Sequence, residues 1–170
     1  MAELAPRERL QPSLLDRLTD EEPEQQVEAR ERRIMSMRSL REGVLRDLAW
    51  LLNTTNLFSV NAHLQTQRLP HLANSVVNYG MPDISGASLA GMNTTDLERA
   101  IRQAIWDFEP RLIRSSVQVK AAKSDSITKI TFEIEADMWA QPYPERLYIK
   151  TELDLDQAHI SLSESAGRRP

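Results

Sequence analysis

The sequence predicts an α+β domain, with N-terminal helices packed on one face of a small antiparallel β-meander. Three observations predict it. Apolar residues recur at spacings of three and four through the first two thirds of the chain. From about residue 113 the period changes to two. The two patterns follow one another rather than alternating, which separates an α+β arrangement from a parallel α/β one.

The elements follow in order. Residues 1–20 read as a mobile N-terminal segment and residues 21–163 as a single domain. Residues 164–170, "ESAGRRP", read as a flexible tail. Within the first segment, "SLLDRLTD" carries Leu14, Leu15 and Leu18 on one edge of a short helical turn. Such an apolar knot in polar sequence either folds back on its own domain or docks as a helix in a partner's groove. Residues 19–53 carry a long helical pattern, with Thr19 and Glu22 as a capping box and Pro23 in the first turn. Its apolar stripe is Ile34, Met37, Leu40, Val44, Leu45, Leu48, Leu51 and Leu52. Ser39 with Glu42 offers a second capping box, so the segment divides near Ser36 to Ser39, and Gly43 is a weak point. Asn53 is a plausible stop.

Residues 54–93 are mixed, with a short helix in "LPHLANSVVNYG" and turns in "MPDISGASLAG". Gly80, Gly86 and Gly91 suggest backbone angles that other residues avoid. Residues 95–109 give the clearest helix. Thr95 and Glu98 form a capping box, Leu97, Ile101, Ala104, Ile105 and Phe108 make the buried face, and Pro110 ends it. Strands follow through Ile113–Ala121, Ile130–Met138 and Leu147–Leu155, with a short last strand at Ile160 and Leu162. Their outer faces are charged, and their two outer edges, near Val117–Ala121 and Ala158–Leu162, are candidates for strand addition. Proline at Ser161 or Lys120 probes those edges wherever the replaced N–H points outward.

Composition narrows the chemistry. The 170 residues are 41% hydrophobic and 27% charged, with a net charge of -4. That balance argues against non-specific nucleic-acid binding. The chain has no cysteine, which removes disulfide and thiolate chemistry, and three scattered histidines (His63, His71 and His159) make a poor metal site. No apolar run approaches ~18 residues and the first residues lack a signal-peptide core, so direct membrane insertion is not expected and the cytoplasm is the default location. The triplets Asn53-Thr54-Thr55 and Asn93-Thr94-Thr95 are read as helix-end residues rather than glycosylation sites. No cofactor motif is present.

One junction stands out. "WDFEPRLI" places Asp107 and Glu109 where the helix dipole disfavours acids by roughly 0.3–1 kcal/mol each. Three readings of Glu109, Pro110 and Arg111 are open: a catalytic acid, a helix stop with a local ion pair, or a docking point for a partner. Catalysis is poorly served, because Asp107 and Glu109 point to nearly opposite sides and no nucleophile or phosphate loop accompanies them.

Five blocks in this order resemble TssE, the baseplate subunit of type VI secretion systems. They are "LLDRLTD" at 14–20, "VLRDLAWLLNT" at 44–54, "SVVNYGMPDISG" at 75–86, "IRQAIWDFEPRLI" at 101–113 and "FEIEADMWAQPYPERLYIKTELDLD" at 132–156. Glu109, Pro110 and Arg111 match the family's signature triplet. TssE is similar to the small wedge protein of contractile phages, once labelled lysozyme-like. The resemblance implies a structural, non-enzymatic protein in a cytoplasmic baseplate at the inner face of the membrane. It implies partners TssF, TssG and TssK in the baseplate and TssB and TssC in the contractile sheath. It also implies a role in linking wedge to sheath and nucleating sheath assembly. The alternative is a peptidoglycan-cleaving hydrolase. The residues expected to bind partners are Glu109, Pro110, Arg111, Leu14, Leu15 and Leu18.

Overall fold

The computed structural model describes residues 13–19, 36–61, 70–83, 93–122, 128–139 and 144–165. Among them are helices α1 (Leu14–Leu18), α2 (Met37–Leu52), α3 (Leu57–Val60), α4 (Pro70–Ala73) and α5 (Thr94–Phe108). Short 3-10 turns cover Val76–Asn78 and Arg114–Ser116. The strands are β1 (Gln118–Ala122), β2 (Lys129–Met138), β3 (Glu145–Asp154) and β4 (His159–Glu164). They form one antiparallel sheet in the order β1-β2-β3-β4, a meander. The α+β arrangement is therefore the one the sequence predicts.

Period-two alternation makes one face of the sheet apolar. Ile130, Phe132, Ile134, Ala136 and Met138 from β2 face the same side as Leu147, Ile149 and Leu153 from β3, and all are buried. The stripe of α2 (Leu40, Val44, Leu48, Leu51 and Leu52) and that of α5 (Leu97, Ile101, Ala104 and Ile105) cover that face. Burying a side chain such as Phe132 or Leu48 contributes about 1.5–3 kcal/mol. Thr151 is the polar exception on the apolar face; it is fully buried and its hydroxyl donates to the Phe132 carbonyl at 3.2 Å.

Several boundaries differ from the sequence reading, each for a local reason. Ser36, not Ser39, caps α2, accepting from the Ser39 N–H, so Ser39 lies inside the first turn. Asn93, not Thr95, caps α5 by accepting from the Thr95 N–H at 3.0 Å. The first strand does not start at Ile113, because the 3-10 turn at Arg114–Ser116 interrupts it. β3 stops at Asp154, and Leu155 enters a turn in which Ala158 has a φ of 49°. The triplets at Asn53 and Asn93 do sit at helix ends, with Thr54 Oγ1 also donating to the Trp50 carbonyl at 2.7 Å. Gly80 has a φ of 119°, and a Cβ there would lie 2.2 Å from the Thr54 carbonyl oxygen. Its neighbour Met81 exchanges backbone hydrogen bonds with Thr54 and Asn56, which explains the close approach. Thr19 is the C-cap of α1, its N–H donating to the Leu15 carbonyl at 3.0 Å, while its expected box partner Glu22, like Pro23, Ile34, His63, Gly86 and Gly91, lies outside the described residues.

The direction of each edge N–H also differs from what a proline probe at Ser161 or Lys120 requires. Ser165 N–H donates to the Tyr148 carbonyl, so Ser161 and Ser163 face β3 and Ile160, Leu162 and Glu164 face out. On β1, Ala121 N–H points away from β2 to Glu98 Oε1 at 2.6 Å, so Lys120 faces the ladder. Proline at Ser161 or Lys120 would break the sheet's own bonds, and Leu162 is the outward position to probe.

Candidate functional site: a charged junction between helix and sheet

α5 ends where the sequence places its acids. Glu109 is the C-cap, its N–H donating to the Ile105 carbonyl at 2.9 Å, and Pro110 forbids another helical turn. The chain then joins the sheet. Trp139 N–H donates to the Arg111 carbonyl, Ile113 N–H donates to the Asp137 carbonyl, and Leu112 bridges Met138. The backbone of Arg111 is thus fixed by helix and sheet together.

The Glu109 side chain points inward; the residue is 4% exposed. Arg111 grips it with two parallel bonds, Nε to Oε1 at 2.6 Å and Nη2 to Oε2 at 2.5 Å. The Arg111 N–H adds a third bond to Oε1 at 3.2 Å. Arg111 Nη2 also meets Asp47 Oδ2 of α2 at 2.6 Å. Burial works against the charged guanidinium, but the two carboxylates outweigh it and hold the Arg111 pKa above its ordinary value. Tyr79 packs edge-on against Phe108, with centroids 5.2 Å apart, and burial plus the negative charge of Asp47 and Glu109 raises its phenol pKa.

The network extends outward from Asp47. Arg46 Nε donates to Asp47 Oδ1 at 2.9 Å; Arg46 Nη2 lies as close to the same oxygen but too far off axis to hydrogen-bond. Arg46 Nη1 reaches Asp16 Oδ1 on α1 at 2.8 Å, and its guanidinium covers the Trp50 ring at 5.2 Å. Charges alternate from Asp16 through Arg46, Asp47 and Arg111 to Glu109. Gly43 lies beneath: a Cβ there would sit 3.6 Å from Asp16 Oδ2 and 3.7 Å from Arg111 Nη1. That Nη1 is buried with no hydrogen-bond partner among the described residues. The neighbouring acid, Asp107, is held separately by Gln103 and Arg114, and Arg114 also donates to the free Trp106 carbonyl at the helix end. Two arginines therefore offset the unfavourable dipole that Asp107 and Glu109 meet there.

α1 shows how the N-terminal segment meets this network. Ser13 and Asp16 form a reciprocal capping box, and Asp16 is the residue that faces α2. Leu14 (72%), Leu15 (42%) and Leu18 (74%) stay exposed. The structure thus brings Glu109 and Arg111 together, with Pro110 between them, and sets the three leucines apart on α1. Asp16, Arg46 and Asp47 escaped the sequence reading. Their spacing in the chain carried no signal, since Asp47 and Arg111 are 64 residues apart.

Chemically the junction is a lock. Its carboxylates are occupied by arginines, and among the described residues no group of three or more His, Asp or Glu could hold a metal ion. No described helix is long and apolar enough to cross a membrane.

The fold is thus an α+β domain whose helices cover one face of a meander and whose helix–sheet junction is closed by buried charges. Residues 38–143, more than half of the chain, match the family model described as baseplate wedge protein gp25. The chain belongs to that family, in agreement with the resemblance to TssE, its type VI secretion counterpart. The matched span contains α2 from its second residue, α5, the Glu109–Arg111 junction, β1 and β2. No curated protein and no solved structure matches the chain. Membership supports a baseplate structural role.

Proposed function

We propose that this chain is the TssE-type wedge subunit of a type VI secretion baseplate, linking the wedge to the contractile sheath and nucleating its assembly. The observation that carries the reading is the family match across the junction, joined by the TssE-like blocks on either side of it. In this reading TssF, TssG and TssK are its baseplate neighbours and TssB and TssC its sheath partners. It acts in the cytoplasm at the inner face of the membrane.

The exposed leucines of α1 are the docking element for the wedge. Asp16 holds α1 against α2 while the apolar edge stays free, which suits a partner's apolar groove. The Glu109–Pro110–Arg111 junction serves partners by holding that surface rigid, because Glu109 is buried. The outward backbone groups of Leu162 and Glu164 on β4 offer the sheath a stretch of edge for strand addition.

Co-purification tests the assignment. The wedge proteins TssF and TssG should be retained by the full chain, and a chain lacking residues 1–20 should lose them while its melting temperature barely moves. A truncated chain that still retains the wedge proteins rules out α1 as the docking element. The competing reading, a peptidoglycan hydrolase, is supported by the lysozyme-like label alone. A clearing band in a zymogram that disappears with a Glu109→Gln variant shown by circular dichroism to be folded would establish it and displace the structural reading.

A further inference from the structure

The edge of β4 is not uniformly open. At the C-terminal end of α2 the Asn53 side chain turns onto it. Asn53 Oδ1 accepts the Ile160 N–H at 2.8 Å, and Asn53 Nδ2 donates to the Ile160 carbonyl at 2.8 Å. The second hydrogen of Nδ2 goes to the Ala49 carbonyl of the helix, also at 2.8 Å. Ile160 faces away from β3, so these are the two backbone groups that a neighbouring strand would use. One primary amide presents a donor and an acceptor side by side, as the backbone of an adjacent strand does. Leu162 also faces outward, and among the described residues no partner occupies its outward N–H or carbonyl.

From this geometry we infer that Asn53 is an edge plug that keeps β4 from pairing with β4 of a second copy of this chain. A two-fold antiparallel pairing centred on Leu162 sets Ile160 against Glu164 of the other copy, twice, with Leu162 facing Leu162 between them. Each outward-facing pair exchanges two bonds, so an unplugged edge forms on the order of six. With Asn53 in place both flanking pairs are blocked and only the central pair is left. Such a short contact does not hold two domains together. β1 carries a lesser version of the same device, since Glu98 takes the Ala121 N–H but cannot serve a carbonyl. The inference goes beyond the baseplate reading and stands independently of it, because it concerns this chain alone.

Sedimentation velocity on the purified full chain tests it. The native protein should stay monomeric, and Asn53→Ala should dimerise with rising concentration. Adding Leu162→Pro to Asn53→Ala should return the monomer. A folded Asn53→Ala that stays monomeric, a native chain that already dimerises through β4, or a dimer that survives Leu162→Pro overturns the proposal. Amide exchange on the native chain checks the plug without a variant. The Ile160 amide should exchange at least roughly tenfold more slowly than that of Leu162. Equal exchange at the two positions overturns the plug even if Asn53→Ala fails to fold.

Discussion

The two faces of α2 differ in what they do. One face, Leu40 to Leu52, packs apolar side chains on the sheet. The other carries Arg46 and Asp47 into a chain of alternating charges that ends at buried Glu109. Apolar contact is non-directional and gains free energy with every area removed from water. A buried ion pair gains little net stability, because desolvation offsets attraction, yet it resists loss of either partner. The apolar face makes the domain stable, and the charged face sets the position of the α5–β1 junction relative to α2. That division also alters the expected behaviour of the signature residues. Because Glu109 is buried, alanine at 109 or 111 should disturb the fold before it disturbs a partner.

The comparison is sharpened by variants on each side. The largest losses should come from Phe132→Ala and Arg111→Ala. Phe132→Ala empties a fully buried site and should cost about 3–5 kcal/mol in urea denaturation. Arg111→Ala leaves Glu109 buried without its cation, and a similar loss of about 3–5 kcal/mol is expected. A loss under about 1 kcal/mol for Arg111→Ala would mean that the charged face is not structural. Glu109→Ala should cost less than Arg111→Ala, because Asp47 still neutralises the guanidinium.

Gly80→Ala should come next. It forces a side chain into a left-handed backbone against the Thr54 carbonyl, and conformational strain of that kind costs about 1–3 kcal/mol before the clash is counted. Thermal denaturation checks it; an unchanged melting temperature would show that the Gly80–Thr54 approach relaxes freely.

Asp16→Asn cuts the tie between α1 and α2 and should shift stability by under about 1 kcal/mol, since the Arg46 side chain is partly solvated. Burial raises the Asp16 pKa, but hydrogen bonds from Ser13 and Arg46 outweigh it, and the net shift is downward from 3.8. The contribution of ionised Asp16 is therefore complete above pH 3.8 and is lost as pH falls through the lower folded-state pKa. The fluorescence of Trp50, stacked under Arg46, should follow that loss in the native chain and be flat there in Asp16→Asn. Identical acid titrations would detach Asp16 from the network.

The smallest effect should carry the opposite sign. Gly43→Ala places a Cβ at ordinary contact distance from Asp16 and Arg111. Removing a mid-helix glycine should then stabilise α2 by about 0.5–1 kcal/mol. A destabilised Gly43→Ala would mean that the charged network closes on Gly43 more tightly than the structure describes.

By itself the sequence determined the long helices, the strands and their order, because helix and strand each leave a local periodic trace, whereas the short α3 and the split of residues 70–78 into α4 and a 3-10 turn left none. The stripe of α2, the alternation of β2 and β3 and the helix stop at Pro110 are all readable within a few residues. The Glu109–Arg111 ion pair was legible for the same reason, its members being two residues apart. Local pattern also misled. Thr95 and Ser39 satisfy a capping box in spacing, while Asn93 and Ser36 hold the position where the chain actually turns into the helix. Only the tertiary structure decided that Glu109 is buried, that Asp47 shares Arg111, that Asp16 rather than a leucine faces α2, and that Asn53 closes β4 at a residue 107 positions away. Those contacts depend on where packed elements bring distant side chains. No repeat or spacing along the chain records such placement, because the apolar burial that sets it is non-directional and is shared across the whole sheet face.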